Sequence, residues 1–146
     1  MPEAVRDHLQ IASQTRSLQE VRAFITRCVT SCGVVPPEWL NRIIIAVDEA
    51  VTNIIEHAYE FDETGEIDIH IHAQEGMIEI LIQDSGKSFD PGNVQKADVQ
   101  DSVKRAKQGG LGVFLMRRIM DEVTYSFKEN EKNELRLVKR FTRPQN

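Results

Sequence analysis

The sequence predicts an α+β domain in two layers, with helices on one face of a mostly antiparallel sheet. Three observations carry this. From Pro37 to Tyr59 apolar residues recur at three- and four-residue steps, as on an amphipathic helix. Glu66 to Ala73 alternates strictly, and a short turn joins it to a second apolar run, Met77 to Gln83. The chain then closes on two more strand-like runs, Val123 to Phe127 and Glu134 to Phe141, with a turn in 129–133.

Taken in order, residues 5–12 alternate Val5, Leu9 and Ile11 with polar residues, which predicts a first strand. Ser17-Leu18-Gln19-Glu20 reads as a capping box. The helix it opens places Val21, Phe24, Ile25, Cys28, Val29 and Cys32 on one face, and Gly33 stands where a C-terminal cap is expected. Pro36-Pro37 opens the long helix, because proline lacks only an N–H that a first turn does not use. In the strand from Glu66, Ile67, Ile69 and Ile71 face inward, while Asp68, His70 and His72 face a wet side. His70 and His72 share a strand face, but no further metal-ligand set accompanies them, so they read as solvent or interface residues. Residues 93–108 are polar and poorly patterned; so long a loop is a lid or an insertion. Gln108-Gly109-Gly110-Leu111-Gly112 then opens a helix over Val113 to Asp121.

At 146 residues one domain over 1–146 is expected, large enough for a real core. The net charge is −5, and the basic residues are outnumbered and dispersed, which argues against binding nucleic acid through bulk charge. No apolar run reaches membrane-spanning length. The first residues lack the apolar core of a secretory signal. Cys28 and Cys32, four apart on an apolar helix face, read as buried reduced thiols. A cytoplasmic protein is the expectation.

Three places carry chemistry. Glu49 and Asn53 lie one helical turn apart and can address one object: Asn offers a neutral oxygen to a hard cation such as Mg²⁺, and Glu can accept a proton. The alternative is a solvated outer face. Asp84-Ser85-Gly86 ends a strand with a fixed acceptor followed by a glycine that lets backbone approach a flat ligand. The alternative is an ordinary turn. The glycine turn at 109–112 leaves N–H groups free for phosphate at a helix start. It is neither a dinucleotide-binding fingerprint nor a Walker A loop.

Together these stretches resemble the ATP-binding fold shared by gyrase, heat-shock protein 90, sensor histidine kinases and mismatch-repair ATPases (the GHKL or Bergerat fold). Asp48-Glu49-Ala50-Val51-Thr52-Asn53 looks like its N box, Asp84-x-Gly86 its G1 box and Gly110-x-Gly112 its G2 box. With His57-Ala58-Tyr59, Phe89-Asp90-Pro91 and Met120-Asp121-Glu122-Val123, the chain is similar to the bacterial anti-sigma-factor serine kinases of the RsbW and SpoIIAB type. The resemblance implies ATP and Mg²⁺ as cofactors. It implies Glu49 as general base, Asn53 as the Mg²⁺ ligand, and Asp84 as acceptor for the adenine amino group beside Gly86. Gly110, Leu111 and Gly112 would face the phosphates. Lys104 or Arg105, or Lys107, would neutralise them, with no family pattern fixing which. The implied partners are a sigma factor and a small anti-anti-sigma protein of the STAS type, phosphorylated on serine, and a second copy of the chain in a homodimer. A module that sequesters a partner with little or no kinase activity is the alternative. Glu49 favours the kinase, because a pure binder has less need of a carboxylate beside the phosphates.

Overall fold

A computed structural model describes residues 4–33, 35–74, 76–88, 112–126 and 132–141. Strand β1 (Val5–Ala12) leads through a 3₁₀ turn (Thr15–Ser17) into helix α1 (Leu18–Cys32). Helix α2 (Pro37–Asn53) runs on into a π turn (Ile54–Ala58). Strands β2 (Glu66–Gln74) and β3 (Met77–Asp84), helix α3 (Gly112–Ile119), and strands β4 (Glu122–Ser126) and β5 (Asn133–Arg140) follow. Among the described residues the strands form one sheet in the order β1-β2-β3-β5-β4, and every adjacent pair is antiparallel.

The pleat decides which residues reach the helices. Ile67, Ile69 and Ile71 of β2, Ile78, Ile80 and Ile82 of β3, and Leu135 and Leu137 of β5 are all buried on one face. Phe24 and Ile25 of α1, Ile43, Val47 and Val51 of α2, and Met116 of α3 close over them. The two-layer α+β expectation holds. Cys28 and Cys32 are free and buried in that interface. Gly33 ends α1 with φ +68°, a conformation that suits glycine.

Three expectations are corrected. Ser17 makes no side-chain cap, because the 3₁₀ turn has already wound it to helical angles (φ −69°, ψ −16°) and buried it. Helix α2 does not stay α-helical to Tyr59: the Tyr59 N–H reaches back five residues to the Ile54 carbonyl at 3.0 Å. Asp68, expected on a wet face, is 5% exposed. Lys132 Nζ donates to its Oδ2 at 2.8 Å, while His8 Nε2 lies 3.2 Å and Gln10 Nε2 3.0 Å from its Oδ1. The His8 ring also stacks on His70 with centroids 4.3 Å apart.

Burial pushes the Asp68 carboxyl up, but its three partners together more than reverse this and hold it below the ordinary range. A depressed carboxylate stabilises the fold above its unfolded pKa, and that stability is lost as pH falls through the folded value. We therefore expect Asp68→Asn to cost roughly 1–3 kcal/mol at neutral pH, the range for disrupting a buried charged hydrogen-bond set. In urea unfolding followed from pH 7 down to pH 3, about the range where aspartate titrates, the gap between the two proteins should narrow on acidification.

Candidate functional site

Glu49 and Asn53 come from successive turns of α2. Both are partly buried. The Glu49 carboxylate makes no hydrogen bond or ion pair among the described residues. Burial first, then the charges of Asp48 and Glu56, hold it above the ordinary glutamate range. The Asn53 amide nitrogen is buried and has no partner among the described residues. Asp48 is clamped from α1, where Arg22 Nε donates to its Oδ2 at 2.8 Å, while its Oδ1 is buried without a partner. A buried polar atom left without a partner needs an explanation; among the described residues two such atoms, Asp48 Oδ1 and Asn53 Nδ2, flank Glu49.

Asp84 ends β3 on the core-facing side, in register with Ile67 of β2 and Asn133 of β5. It is 2% exposed. Its Oδ1 accepts two hydrogen bonds of 2.9 Å, from the Gly86 N–H and from Asn133 Nδ2. No donor among the described residues reaches Oδ2. Burial pushes the carboxyl up, and the two donors pull against it. Asn133 also donates to the Gly86 carbonyl at 2.9 Å and accepts from Ser88 Oγ at 2.8 Å.

Gly86 is required by contact rather than by backbone angle. A Cβ there would stand 2.6 Å from the Ala58 carbonyl oxygen. The next amide, Lys87 N–H, donates to that same oxygen at 2.7 Å. The π turn thus supplies the surface on which the loop after β3 lies. Lys87 itself extends outward, its Nζ 4.0 Å from Glu60 Oε1 and both side chains exposed.

Between α2, α3 and the sheet lies a narrow cleft lined by Ala50, Asn53, Ile54, Asp84, Met116, Tyr125 and Leu135. Its walls are mainly apolar, and its polar members are the Asp84 carboxylate, the Asn53 amide and Tyr125. A flat heteroaromatic ring carrying an amino group suits such walls and such an acceptor. The unpaired amide of Asn53 suits a polar group continuing from that ring. The residues present therefore fit an adenine nucleotide. The structure brings Asn53 and Asp84 to this cleft, ties Gly86 to Asp84 through its N–H, and puts Glu49 one turn up α2. Gly112 begins α3, whose Met116 forms a wall. Gly110, Leu111, Lys104, Arg105 and Lys107, with Phe89-Asp90-Pro91, lie outside the described residues.

Sequence reasoning missed Asn133, Arg22 and the apolar walls, and it noted Ala58 and Tyr59 without giving them a role. Asn133 left a signal. It falls in step with Leu135 and Leu137, so a polar residue stands at an inward position of a strand. The Ala58 carbonyl leaves none, because a backbone group has no identity in the sequence.

Comparison with known proteins agrees with this geometry. Residues 11–139 match the family described as the histidine kinase-like ATPase domain, and the chain belongs to that family. Its relatives there are serine-protein kinases named RsbW. That of Bacillus licheniformis is 42% identical over 83 residues, covering 54% of this chain and 52% of the relative. That of Staphylococcus aureus (strain JH9) is 42% identical over 91 residues, covering 59% and 57%. That of Bacillus subtilis (strain 168) is 31% identical over 119 residues, covering 79% and 74%. The chain thus spans little more than half the length of the first two. A crystal structure of the RsbU and RsbW domains of a Mycobacterium tuberculosis protein superposes with a TM-score of 0.65 at 17% identity, covering 93% of this chain and 32% of that one. At that identity the likeness is one of fold.

Asn133→Ala removes donors from Asp84 Oδ1 and the Gly86 carbonyl together. We expect a loss of roughly 1–3 kcal/mol in chemical denaturation, the cost of leaving a buried polar group unsatisfied. The Asp84 carboxyl should titrate higher still, read by carbon-13 NMR of the side-chain carboxyl.

Proposed function

We propose that this chain is an ATP-dependent serine kinase and anti-sigma factor, which phosphorylates an anti-anti-sigma partner of the STAS type and holds a sigma factor in turn. The observation that carries it is the pair on α2: a Glu49 carboxylate held above its ordinary range chiefly by burial, one turn from an Asn53 amide whose buried nitrogen has no partner among the described residues, beside a mainly apolar cleft that reaches Asp84. The names of the RsbW relatives support the activity.

In this reading Asp84 Oδ2 accepts the adenine amino group, and Gly86 lets the ring lie against backbone. Asn53 would hold Mg²⁺ through its side-chain oxygen. Among the described residues no three His, Cys, Asp or Glu side chains gather into a cage, and Mg²⁺ is commonly held by few protein ligands plus phosphate. Bound Mg²⁺ supplies charge neutralisation across the phosphates. Glu49 takes the proton of the partner's seryl hydroxyl as that oxygen bonds to the γ-phosphorus and the bond to the bridging oxygen breaks, releasing ADP. A carboxylate held above its ordinary range suits this, since a general base works best near the operating pH. Gly110, Leu111 and Gly112 would serve the phosphates with N–H groups, and Lys104 or Arg105 with charge. Three further points belong to this reading: a homodimer, which the resemblance implies, and a cytoplasmic setting and a single domain over 1–146, which composition and length suggest. No helix among the described residues is long and apolar enough to cross a membrane.

The direct test incubates the protein with γ-labelled ATP and the STAS proteins of the same genome. Label on a partner serine is expected; nucleotide binding with no labelled candidate would overturn the kinase. Glu49→Gln should keep ATP affinity and lose transfer by about 10²–10⁴-fold, the usual share of a general base. In the unaltered protein, transfer should fall as pH drops through the raised Glu49 value, above the ordinary glutamate range, and this acid limb should be absent from the residual activity of E49Q. Asn53→Ala should weaken ATP binding in Mg²⁺ and change little in EDTA, as titration calorimetry would read.

A further inference from the structure

Tyr59 follows the π turn and is half-buried. Its hydroxyl donates to the Glu66 carbonyl at 2.6 Å and accepts from the Ser85 N–H at 2.9 Å. These two groups are not arbitrary. The last pair of the β2–β3 ladder is Ile67 with Asp84. One step outward on each antiparallel strand lie Glu66 and Ser85, where a direct Ser85 N–H to Glu66 carbonyl bond would form the next rung. The tyrosine hydroxyl stands in that bond and relays it. Held apart there, the chain after Asp84 leaves β2 and turns onto the Ala58 carbonyl, which Gly86 approaches and Lys87 N–H bonds.

The wedge is itself held. The Tyr59 ring lies so close over Gly65 that a Cβ there would stand 2.4 Å from its Cε1. Gly65 is fixed in turn by Ser13, whose N–H donates to the Gly65 carbonyl at 2.9 Å and whose Oγ accepts from the Gly65 N–H at 3.0 Å. Burial holds the phenol above its usual range, so the hydroxyl keeps the proton it donates.

We propose that Tyr59 is a positioning residue for nucleotide recognition: its hydroxyl interrupts the β2–β3 ladder at Ser85 and thereby aims Asp84 Oδ2 at the amino group of the base. Removing the hydroxyl closes the rung or leaves both backbone groups unpaired. Either change moves the residue directly after Asp84. The inference rests on the reading of Asp84 as the adenine acceptor.

The test compares ATP with purine riboside triphosphate, which lacks the exocyclic amino group, by calorimetric titration of the full chain. The unaltered protein should bind ATP severalfold more tightly than the analogue. Tyr59→Phe keeps the ring over Gly65, and it should narrow that ratio severalfold in protein still folded at the assay temperature. A merely structural tyrosine would lower the melting temperature and leave the ratio alone. A ratio in Y59F equal to that of the unaltered protein overturns the proposal and leaves the Asp84 reading standing. Equal binding of the two nucleotides by the unaltered protein fells both. Gly65→Ala displaces the ring while keeping the hydroxyl, and serves in place of Y59F if that variant does not fold. It should narrow the ratio in the same way, and an unchanged ratio overturns the proposal.

Discussion

The site depends on one close contact, that of Gly86 against the carbonyl of Ala58. A strand end and a helix end meet there with no side chain between them. Any residue with a Cβ would meet that carbonyl oxygen at 2.6 Å, well inside ordinary contact, and one of the two elements would have to move. If the strand moved, the Asn133 donors that hold Asp84 and the Gly86 carbonyl would be stretched. If the helix end moved, Asn53 would shift against the cleft wall. Interiors packed at crystal-like density do not absorb such shifts locally. The π turn makes the contact possible, because widening the last helical turn changes the direction in which the Ala58 carbonyl points.

The charges divide the molecule in two. Asp62, Asp68 and Glu122 are held below their ordinary range by donors placed on them: Thr64, Lys132 with His8 and Gln10, and Arg140 respectively. Asp48, Glu49 and Asp84 are pushed the other way, in each case chiefly by burial. Burial of a carboxyl without full compensation is costly, so the first group stabilises the fold and the second taxes it. The taxed carboxyls lie on α2 and at the end of β3, beside the buried amide nitrogen of Asn53, which has no partner among the described residues. Such concentration of incomplete satisfaction marks a place prepared for something else to bind.

Much of this was legible because periodicity is a property of side chains. The alternation of Ile67, Ile69 and Ile71 places β2, and the steps of Ile43, Val47, Ala50 and Val51 place the buried side of α2, so Glu49 and Asn53 follow on another side. Asp84-Ser85-Gly86 was legible as a strand end carrying an acceptor and a permissive residue. What was not legible depends on backbone or on register. Nothing in Ile54-Ile55-Glu56-His57-Ala58 announces a π turn, since its residues continue the helical apolar pattern. Asp68 looks solvent-facing by parity; only the neighbouring strand's His8 and Gln10, with Lys132, show why it is covered. Asn133 becomes meaningful once β5 is known to lie beside β3 rather than only beside β4.

Helix α2 sets both ends of the site. In the proposed reading its α-helical part carries Glu49 and Asn53 for the phosphate side, and the π turn with the Tyr59 that follows it carries the Ala58 carbonyl and the phenol for the base side. Asn53 and Ala58 are five residues apart on one continuous helical run, so the spacing of the two sides is fixed by hydrogen-bonded helix rather than a loop. The same run reaches the sheet at two points near Asp84: Ala58 receives the Lys87 N–H, and Tyr59 takes the Ser85 N–H. With the Gly86 N–H held by Asp84 itself, all three amides after the strand are spoken for, two of them by α2. A displacement of α2 along its axis would therefore carry the turn after Asp84 with it, and the base and phosphate contacts would shift as one unit. Precision of this kind is what phosphoryl transfer asks of a protein, since positioning and charge neutralisation carry most of its catalysis.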